Sequence, residues 1–188
     1  CYNRPMTRSE ERFLVEQAQA DPRKFDALYR AYIDAIYRFV FYKTSHQETA
    51  EDITAQVFMQ ALERLTQFHY QPGARFSSWL YTIAHNQIVD HYRKRRDTVD
   101  LEHAEPLPSA ETATQTVDAH LQQDRVRSVL LELPTADQEV LQLRVWEDKS
   151  YHEIAQILHS NMVAVRARYS RALKKFNTLY IKHYGTPD

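Results

Sequence analysis

The amino-acid sequence predicts an all-α protein built as two small helical domains joined by a flexible acidic linker, the second containing a helix-turn-helix. Three observations carry that reading. Only two glycines, Gly73 and Gly185, occur in 188 residues, and strong helix formers far outnumber β-branched runs. Apolar residues recur at i, i+3, i+4 and i+7 through most of the chain, the period of an amphipathic helix. Between Asp97 and Asp124 stand seven acids (Asp97, Asp100, Glu102, Glu105, Glu111, Asp118 and Asp124) and no lysine or arginine; with Pro106 and Pro108 this composition reads as a linker.

Size permits the division, because a lobe of roughly 80 residues still buries about 60% of the surface its unfolded chain exposes. The domains are expected at residues 7–96 and 118–184, with the linker at 97–117. The formal net charge of −1 hides a segregated pattern. His91 to Arg96 (HYRKRR) and Arg166 to Lys175 are basic, while the linker between them is acidic. Two cationic surfaces joined by an acidic tether point to nucleic acid, and the tether can shield them from non-specific DNA. The single cysteine, Cys1, excludes internal disulfides and a cysteine-based zinc site. No apolar run reaches the roughly 20 residues needed to span a bilayer, and the N-terminus lacks a signal-peptide core. The expectation is a cytoplasmic protein with no cofactor, no metal and no membrane insertion.

In chain order, Thr7 to Ala20 reads as a short helix with Thr7 or Ser9 as N-cap and Asp21-Pro22 as the stop. From Arg23 to Lys43, Phe25, Leu28, Tyr29, Tyr32, Ile33, Ile36, Tyr37 and Val40 mark a long core helix, its tyrosines packing with hydrated hydroxyls. Glu48 to Thr66 buries Ala50, Ile53, Val57, Ala61 and Leu65 and presents Asp52, Gln56, Met59 and Glu63 on the opposite side. The segment QFHYQPGAR, Gln67 to Arg75, holds a Pro-Gly turn and two aromatics. A further helix opens at Phe76-Ser77-Ser78, with Ser77 or Ser78 as N-cap, and runs through Ile83, Ala84, Ile88 and Tyr92 into the basic cluster. Basic charge beside unpaired aromatic rings, as expected here, is the combination that holds single-stranded nucleic acid.

Beyond the linker, a helix carrying Leu121, Val126, Val129, Leu130 and Leu133 ends at Pro134. Thr135 or Asp137 caps the next, which continues to about Trp146. Tyr151 to Phe176 then has the shape of a helix-turn-helix. Ile154, Ala155, Ile157 and Leu158 mark a short first helix, His159-Ser160-Asn161 a polar break, and Val165, Tyr169, Ala172, Leu173 and Phe176 the apolar side of a longer second one. Ala167, Ser170, Arg171 and Lys174 point outward, flanked by Arg166, Arg168 and Lys175. No acid occurs from Met162 to Phe176, whereas a merely solvated helix mixes signs to gain i,i+4 pairs. Small residues and cations on one face suit a DNA major groove.

Taken together, AEDITAQVFMQALERL at Ala50 to Leu65, RFSSWLYTIAHNQIVDHYRKRR at Arg75 to Arg96, LPTADQEVLQLR at Leu133 to Arg144 and SYHEIAQIL with VRARYSRALKKF between Ser150 and Phe176 resemble the ECF (extracytoplasmic function) sigma factors of bacterial RNA polymerase. The resemblance spans nearly the whole chain. It implies a sigma region-two domain and a region-four domain without the middle domain of primary sigma factors. It also implies core RNA polymerase as partner, with Asp52, Gln56, Met59 and Glu63 meeting the β′ clamp helices and the second domain meeting the β flap. Promoter DNA is the second partner. Phe68, Arg75, Ile83 and Asn86 match the place where members of the group capture a base flipped from the minus-ten element, and His91, Arg93, Lys94, Arg95 and Arg96 would grip adjacent phosphates. Holding such a base needs an apolar wall and amide donors, because extruding it costs a few kcal/mol. Arg144, Tyr151, Ala164, Arg166, Ala167, Arg168, Ser170, Arg171 and Lys174 match the surface that faces the minus-thirty-five element. An anti-sigma factor is implied as a further partner.

The chain departs from the family pattern at Val57, where an acid is common, at His159 in place of a turn glycine, and at Val163-Ala164 in place of a small Gly-Thr pair. Two rival readings fit less of it. A free-standing helix-turn-helix regulator leaves the first domain without a role. An enzyme is suggested by nine histidines, but Gln156 stands where an HExxH site starting at His152 needs histidine. His85, Asp90 and His91 do not share a helix face, and no Gly-rich phosphate loop exists.

Overall fold

The computed structural model describes residues 6–70, 75–98 and 117–185, without the side chains of 96–98, 117–121 and 123. Most of the acidic linker, the Pro72-Gly73 turn and the side chains of Arg96 and Leu121 therefore lie outside the described residues. The described residues form eight α-helices and no strand, as the composition predicts. The chain divides into two compact units, Cys1–Leu107 and Pro108–Asp188.

In the first unit, α1 (Arg8–Ala20) opens on a capping box: the Glu10 amide donates to Thr7 Oγ1 at 3.3 Å, and the Thr7 amide donates to the Glu10 carboxylate at 2.8 Å. Its stop is Asp21, whose carboxylate then accepts from the Arg23 amide and starts a 3₁₀ turn at Pro22–Lys24. Helix α2 (Phe25–Thr44) ends at Ser45, which adopts a left-handed φ of 50°. Helix α3 (Gln47–Glu63) begins with the Thr49 amide donating to His46 Nδ1. Ala50, Ile53, Val57, Ala61 and Leu65 are all buried, as their spacing predicts. Helix α4 (Phe76–Thr98) closes the unit, and the Tyr92 hydroxyl donates to the Lys43 carbonyl at 2.7 Å, tying its far end to the end of α2.

Two expectations for this unit are corrected. Ser77 and Ser78 do not cap α4; both sit buried inside its first turn. The acceptor comes from elsewhere, since the Glu11 carboxylate receives the Phe76 amide at 2.8 Å and the Ser77 amide at 3.3 Å. The tyrosines of α2 are not uniformly core. Tyr29 is 41% exposed and meets Phe58 edge-on at 4.9 Å, while the Tyr32 hydroxyl donates to Glu11 Oε2 at 2.6 Å. Burial, followed by the adjacent Glu11 charge, pushes the Tyr32 hydroxyl far above its ordinary range. Phe39, absent from the predicted stripe, is fully buried and packs edge-on against Tyr81 at 5.2 Å.

In the second unit, α5 (Val117–Leu131), α6 (Thr135–Leu141) and α8 (Met162–Tyr184) enclose Leu130, Leu133, Leu141 and Ala172, with Tyr169, Phe176 and Leu179 packed against them, and α7 (Tyr151–Ile157) packs on α8 with Ile154 and Ile157 buried. Pro134, not Thr135 or Asp137, holds the N-cap position of α6, and its carbonyl accepts from the Asp137 amide at 2.8 Å. The expected continuous helix to Trp146 instead widens into a π-helical turn at Gln142–Trp146. Val140, Leu141, Gln142 and Leu143 are buried in succession, a run that no single α-helical stripe can hide.

The helix-turn-helix is built by strong local signals. Ser150 and Glu153 form a capping box for α7. At its end the Ser160 amide donates to the Ala155 carbonyl at 2.8 Å and the His159 amide to the Gln156 carbonyl at 3.3 Å. That pair is a Schellman motif, which requires a left-handed residue, and His159 supplies it with φ 48°. Asn161 then caps α8, accepting from the Ala164 amide at 2.8 Å. Leu173 departs from the predicted apolar stripe, being 36% exposed. Because an N-cap amide is worth about 1 kcal/mol, Asn161→Ala is expected to destabilise the second unit by about that much. Urea unfolding of a Trp79→Phe chain, followed by Trp146 fluorescence, measures it.

Candidate nucleic-acid interface

On α8 the side chains of Ala164, Arg166, Ala167, Arg168, Ser170, Arg171 and Lys174 are all exposed. They form a cationic face with no acid on the helix. Tyr151, at the first turn of α7, lies between two arginines: Arg144 Cζ is 5.1 Å and Arg166 Cζ 5.3 Å from its ring centroid. Tyr169 meets the same ring edge-on at 5.8 Å. Arg144 is held further by donating to the Lys149 carbonyl at 2.9 Å. Thus the π-helical turn, α7 and α8 each contribute one member of a single stack. Arg168 lies 4.0 Å from Asp137 on the flank. An open groove of about 560 Å³ runs beside the stack, lined among others by Tyr151, Arg166, Ser170, Leu173 and Lys174. Guanidinium groups resting against an aromatic ring present donors of the kind that pair with phosphate oxygens and base-edge acceptors.

The residues expected at the minus-ten element divide into two sets. Asn86, Arg93, Lys94 and Arg95 are exposed along α4 and His91 is half-buried; Arg93 pairs with Asp90 at 3.1 Å. Arg96 lies outside the described side chains. Phe68 and Ile83 are instead 8% and 5% exposed. The Phe68 ring packs against Tyr70, Phe76 and Trp79 at 5.0, 5.4 and 5.1 Å, so these aromatics are mutually occupied and not unpaired rings. Arg75 turns inward: its Nε is 3.8 Å from the Glu11 carboxylate and its Nη2 donates to the Met6 carbonyl at 2.8 Å. The positive charge at Arg75 is therefore partly spent inside the fold.

On α3, Asp52, Gln56, Met59 and Glu63 are exposed, Met59 at 63%. Val57, where the family commonly has an acid, is fully buried. A groove of about 240 Å³ between α3 and α4 is lined by Asp52, Gln56, Gln87, Asp90, His91 and Lys94, among others. It brings the polar stripe of α3 beside the basic end of α4, a juxtaposition that spacing within either helix does not reveal. Among the described residues, no three histidine, cysteine, aspartate or glutamate side chains are grouped to hold a metal ion.

Residues 28–98 match the family model described as Sigma-70 region 2, and residues 123–176 match that described as Sigma-70, region 4. The chain belongs to the sigma-70 family. Its similarity extends to ECF RNA polymerase sigma factor BldN of Streptomyces coelicolor, 34% identical over 169 residues, which are 86% of this chain and 62% of BldN. RNA polymerase sigma factor YlaC of Bacillus subtilis is 33% identical over 149 residues, 77% of this chain and 85% of YlaC. Among solved structures, CnrH in complex with the cytosolic domain of CnrY is 27% identical and covers 90% of this chain and 96% of its own, with a TM-score of 0.65. RpoE of Bartonella quintana, in complex with the anti-sigma factor NepR, shares the fold at 23% identity, covering 84% of this chain and 96% of its own with a TM-score of 0.64.

In this sigma factor the region-two match runs from within α2 to the end of α4 and leaves α1 outside it. The region-four match contains α7, α8 as far as Phe176, and Arg144, Tyr151 and Arg166. Tyr151→Ala is expected to weaken duplex binding by the sigma factor with its polymerase by roughly 1–2 kcal/mol, and Tyr151→Phe to restore it. The salt slope of binding should stay unchanged, since no phosphate-neutralising charge is removed; a titration at several salt concentrations checks both.

Proposed function

We propose that this sigma factor binds core RNA polymerase, directs it to a two-part promoter and nucleates melting at the minus-ten element. The observation that carries this is the pairing, on one chain, of a region-two unit that exposes both a polar stripe and a basic helix end with a region-four unit that exposes an acid-free recognition helix. A free-standing regulator needs only the second. In this reading Asp52, Gln56, Met59 and Glu63 meet the β′ clamp helices, and the second unit seats on the β flap. Asn86, His91, Arg93, Lys94 and Arg95, with Arg96, contact the opened element and its flanking phosphates. Phe68 and Ile83 support that surface from beneath, consistent with their burial. Arg166, Ala167, Ser170 and Arg171 face upstream bases, with Ala164, Arg168 and Lys174 beside them and Arg144 and Tyr151 near the backbone.

The protein works by binding and not by catalysis, so it needs no cofactor. Among the described residues no helix is long and apolar enough to cross a membrane, which is consistent with a cytoplasmic site of action. An anti-sigma factor is the third partner we propose. CnrH, the relative of known structure named above, is held by the cytosolic domain of CnrY.

Run-off transcription with core polymerase on a genomic library tests the reading. Defined start sites that depend on both proteins are expected, and tight sequence-specific duplex binding by the protein alone, without initiation, would favour the regulator instead. Arg171→Ala is expected to cost about 1–3 kcal/mol at promoters with an intact upstream element and to relax selectivity there. Asn86→Ala should leave polymerase binding intact while reducing permanganate reactivity of melted thymines.

A further inference from the structure

Helix α1 lies outside the region-two match, which starts at residue 28, and none of the roles above uses it. It nevertheless holds both flanks of the segment that joins α3 to α4. On one flank Gln19 Nε2 donates to the Leu65 carbonyl at 2.9 Å and to the Phe68 carbonyl at 2.7 Å. On the other, the Glu11 carboxylate, fully buried, accepts from the Phe76 and Ser77 amides and pairs with Arg75. Arg12 adds a third hold, its Cζ lying 5.9 Å from the centroid of the Tyr70 ring.

Packing alone does not call for this arrangement. Val15 and Ala18 already bury the apolar side of α1, and α4 could take its cap from a local serine, as α7 does from Ser150. A charged acceptor drawn from another helix, 65 residues away in sequence from Phe76, carries a large desolvation cost that a local hydroxyl would avoid. What it adds is coupling: the first turn of α4 cannot move without breaking contacts to α1. A site that must hold an extruded base gains when its flanks are ordered beforehand, because order imposed at the moment of binding is subtracted from affinity.

We propose that α1 is a positioning clamp for promoter opening, in which Gln19 and Glu11 fix the Leu65–Tyr70 and Arg75–Ser77 flanks on which capture of an unpaired promoter base depends. Neither residue touches DNA; both act through the backbone they hold. The inference rests on the melting role proposed above for the first unit.

The test uses full-length protein with core polymerase and, as probe, a single-stranded non-template oligonucleotide spanning the minus-ten element of a promoter mapped by run-off transcription. Gln19→Ala removes two hydrogen bonds from a half-buried position without emptying the core. Glu11→Ala removes the buried acceptor, and Glu11→Gln keeps one for the amides. The expected result is oligonucleotide binding weakened about tenfold by Gln19→Ala and by Glu11→Ala, with polymerase affinity within about twofold of wild type and partial recovery in Glu11→Gln. Wild-type oligonucleotide affinity in Gln19→Ala and Glu11→Ala overturns the clamp. So does a loss that merely follows falling thermal stability and polymerase affinity, which would mark a structural role. If the wild-type holoenzyme itself fails to bind the oligonucleotide in a sequence-dependent way, the melting role falls and the clamp with it.

Discussion

Burying the Glu11 carboxylate costs several kcal/mol of lost hydration, and much of the first unit is arranged to offset it. Tyr32 donates from α2, the Phe76 and Ser77 amides donate from α4, and the Arg75 guanidinium lies alongside. The amides come from a helix N-terminus, whose partial positive charge favours an anion. Three helices therefore meet at one carboxyl group, and each partner is itself fixed by the meeting. This also explains two local oddities. Neither Ser77 nor Ser78 stands at the N-cap of α4, and the Phe76 and Ser77 amides take their acceptor from Glu11 instead. Arg75, which as a cation beside aromatics looks available to nucleic acid, is drawn inward by the buried Glu11 carboxylate.

The second unit reaches order by a different route. Its turn is a Schellman motif with histidine in the left-handed position, and its recognition helix starts on an asparagine cap. One is a backbone turn and the other a side-chain cap on a backbone amide, and neither uses the outer face of α8. That face is then free to be cationic. The price is self-repulsion among Arg166, Arg168, Arg171 and Lys174, relieved by Asp137 at the flank and by the ring of Tyr151, which takes Arg144 and Arg166 on its π-system. Guanidinium groups held this way lose less freedom on meeting a phosphate than free side chains do.

How far this was legible in the sequence depends on the range of the interaction. Helix existence, the buried stripe of α3 and the cap at Thr7 follow from residues within one or two turns of each other. So does the left-handed turn at His159. The pairing of Glu11 with Phe76 spans 65 residues, and no local rule announces it. One sign was present: Glu11, Val15 and Ala18 share the i, i+4, i+7 stripe of α1, and an acid in a buried stripe demands a partner. The π-helical turn was hidden because Val140 to Leu143 are compatible with a helix buried on all sides. Phe68 and Ile83 show a further limit. Composition reveals how many rings a segment carries but not whether they stack on one another or stand open.

The separation of the two surfaces bears on how a chain of net charge −1 can bind DNA selectively. In the proposed function the cations clustered on α8 and at the end of α4 would give each unit a modest phosphate contact, and salt-dependent attraction of that kind carries little sequence information. Two such contacts on one chain multiply only when both sites lie where the geometry allows simultaneous engagement; otherwise the second contributes nothing. In the proposed function a polymerase that holds both units would impose that spacing, so weak individual surfaces become an advantage. A recognition helix that bound tightly alone would park on isolated upstream elements. One that needs its companion stays mobile until a melted element is also in place. Under the proposed function opening is then part of recognition, and order in the first unit would contribute to the selectivity of the second.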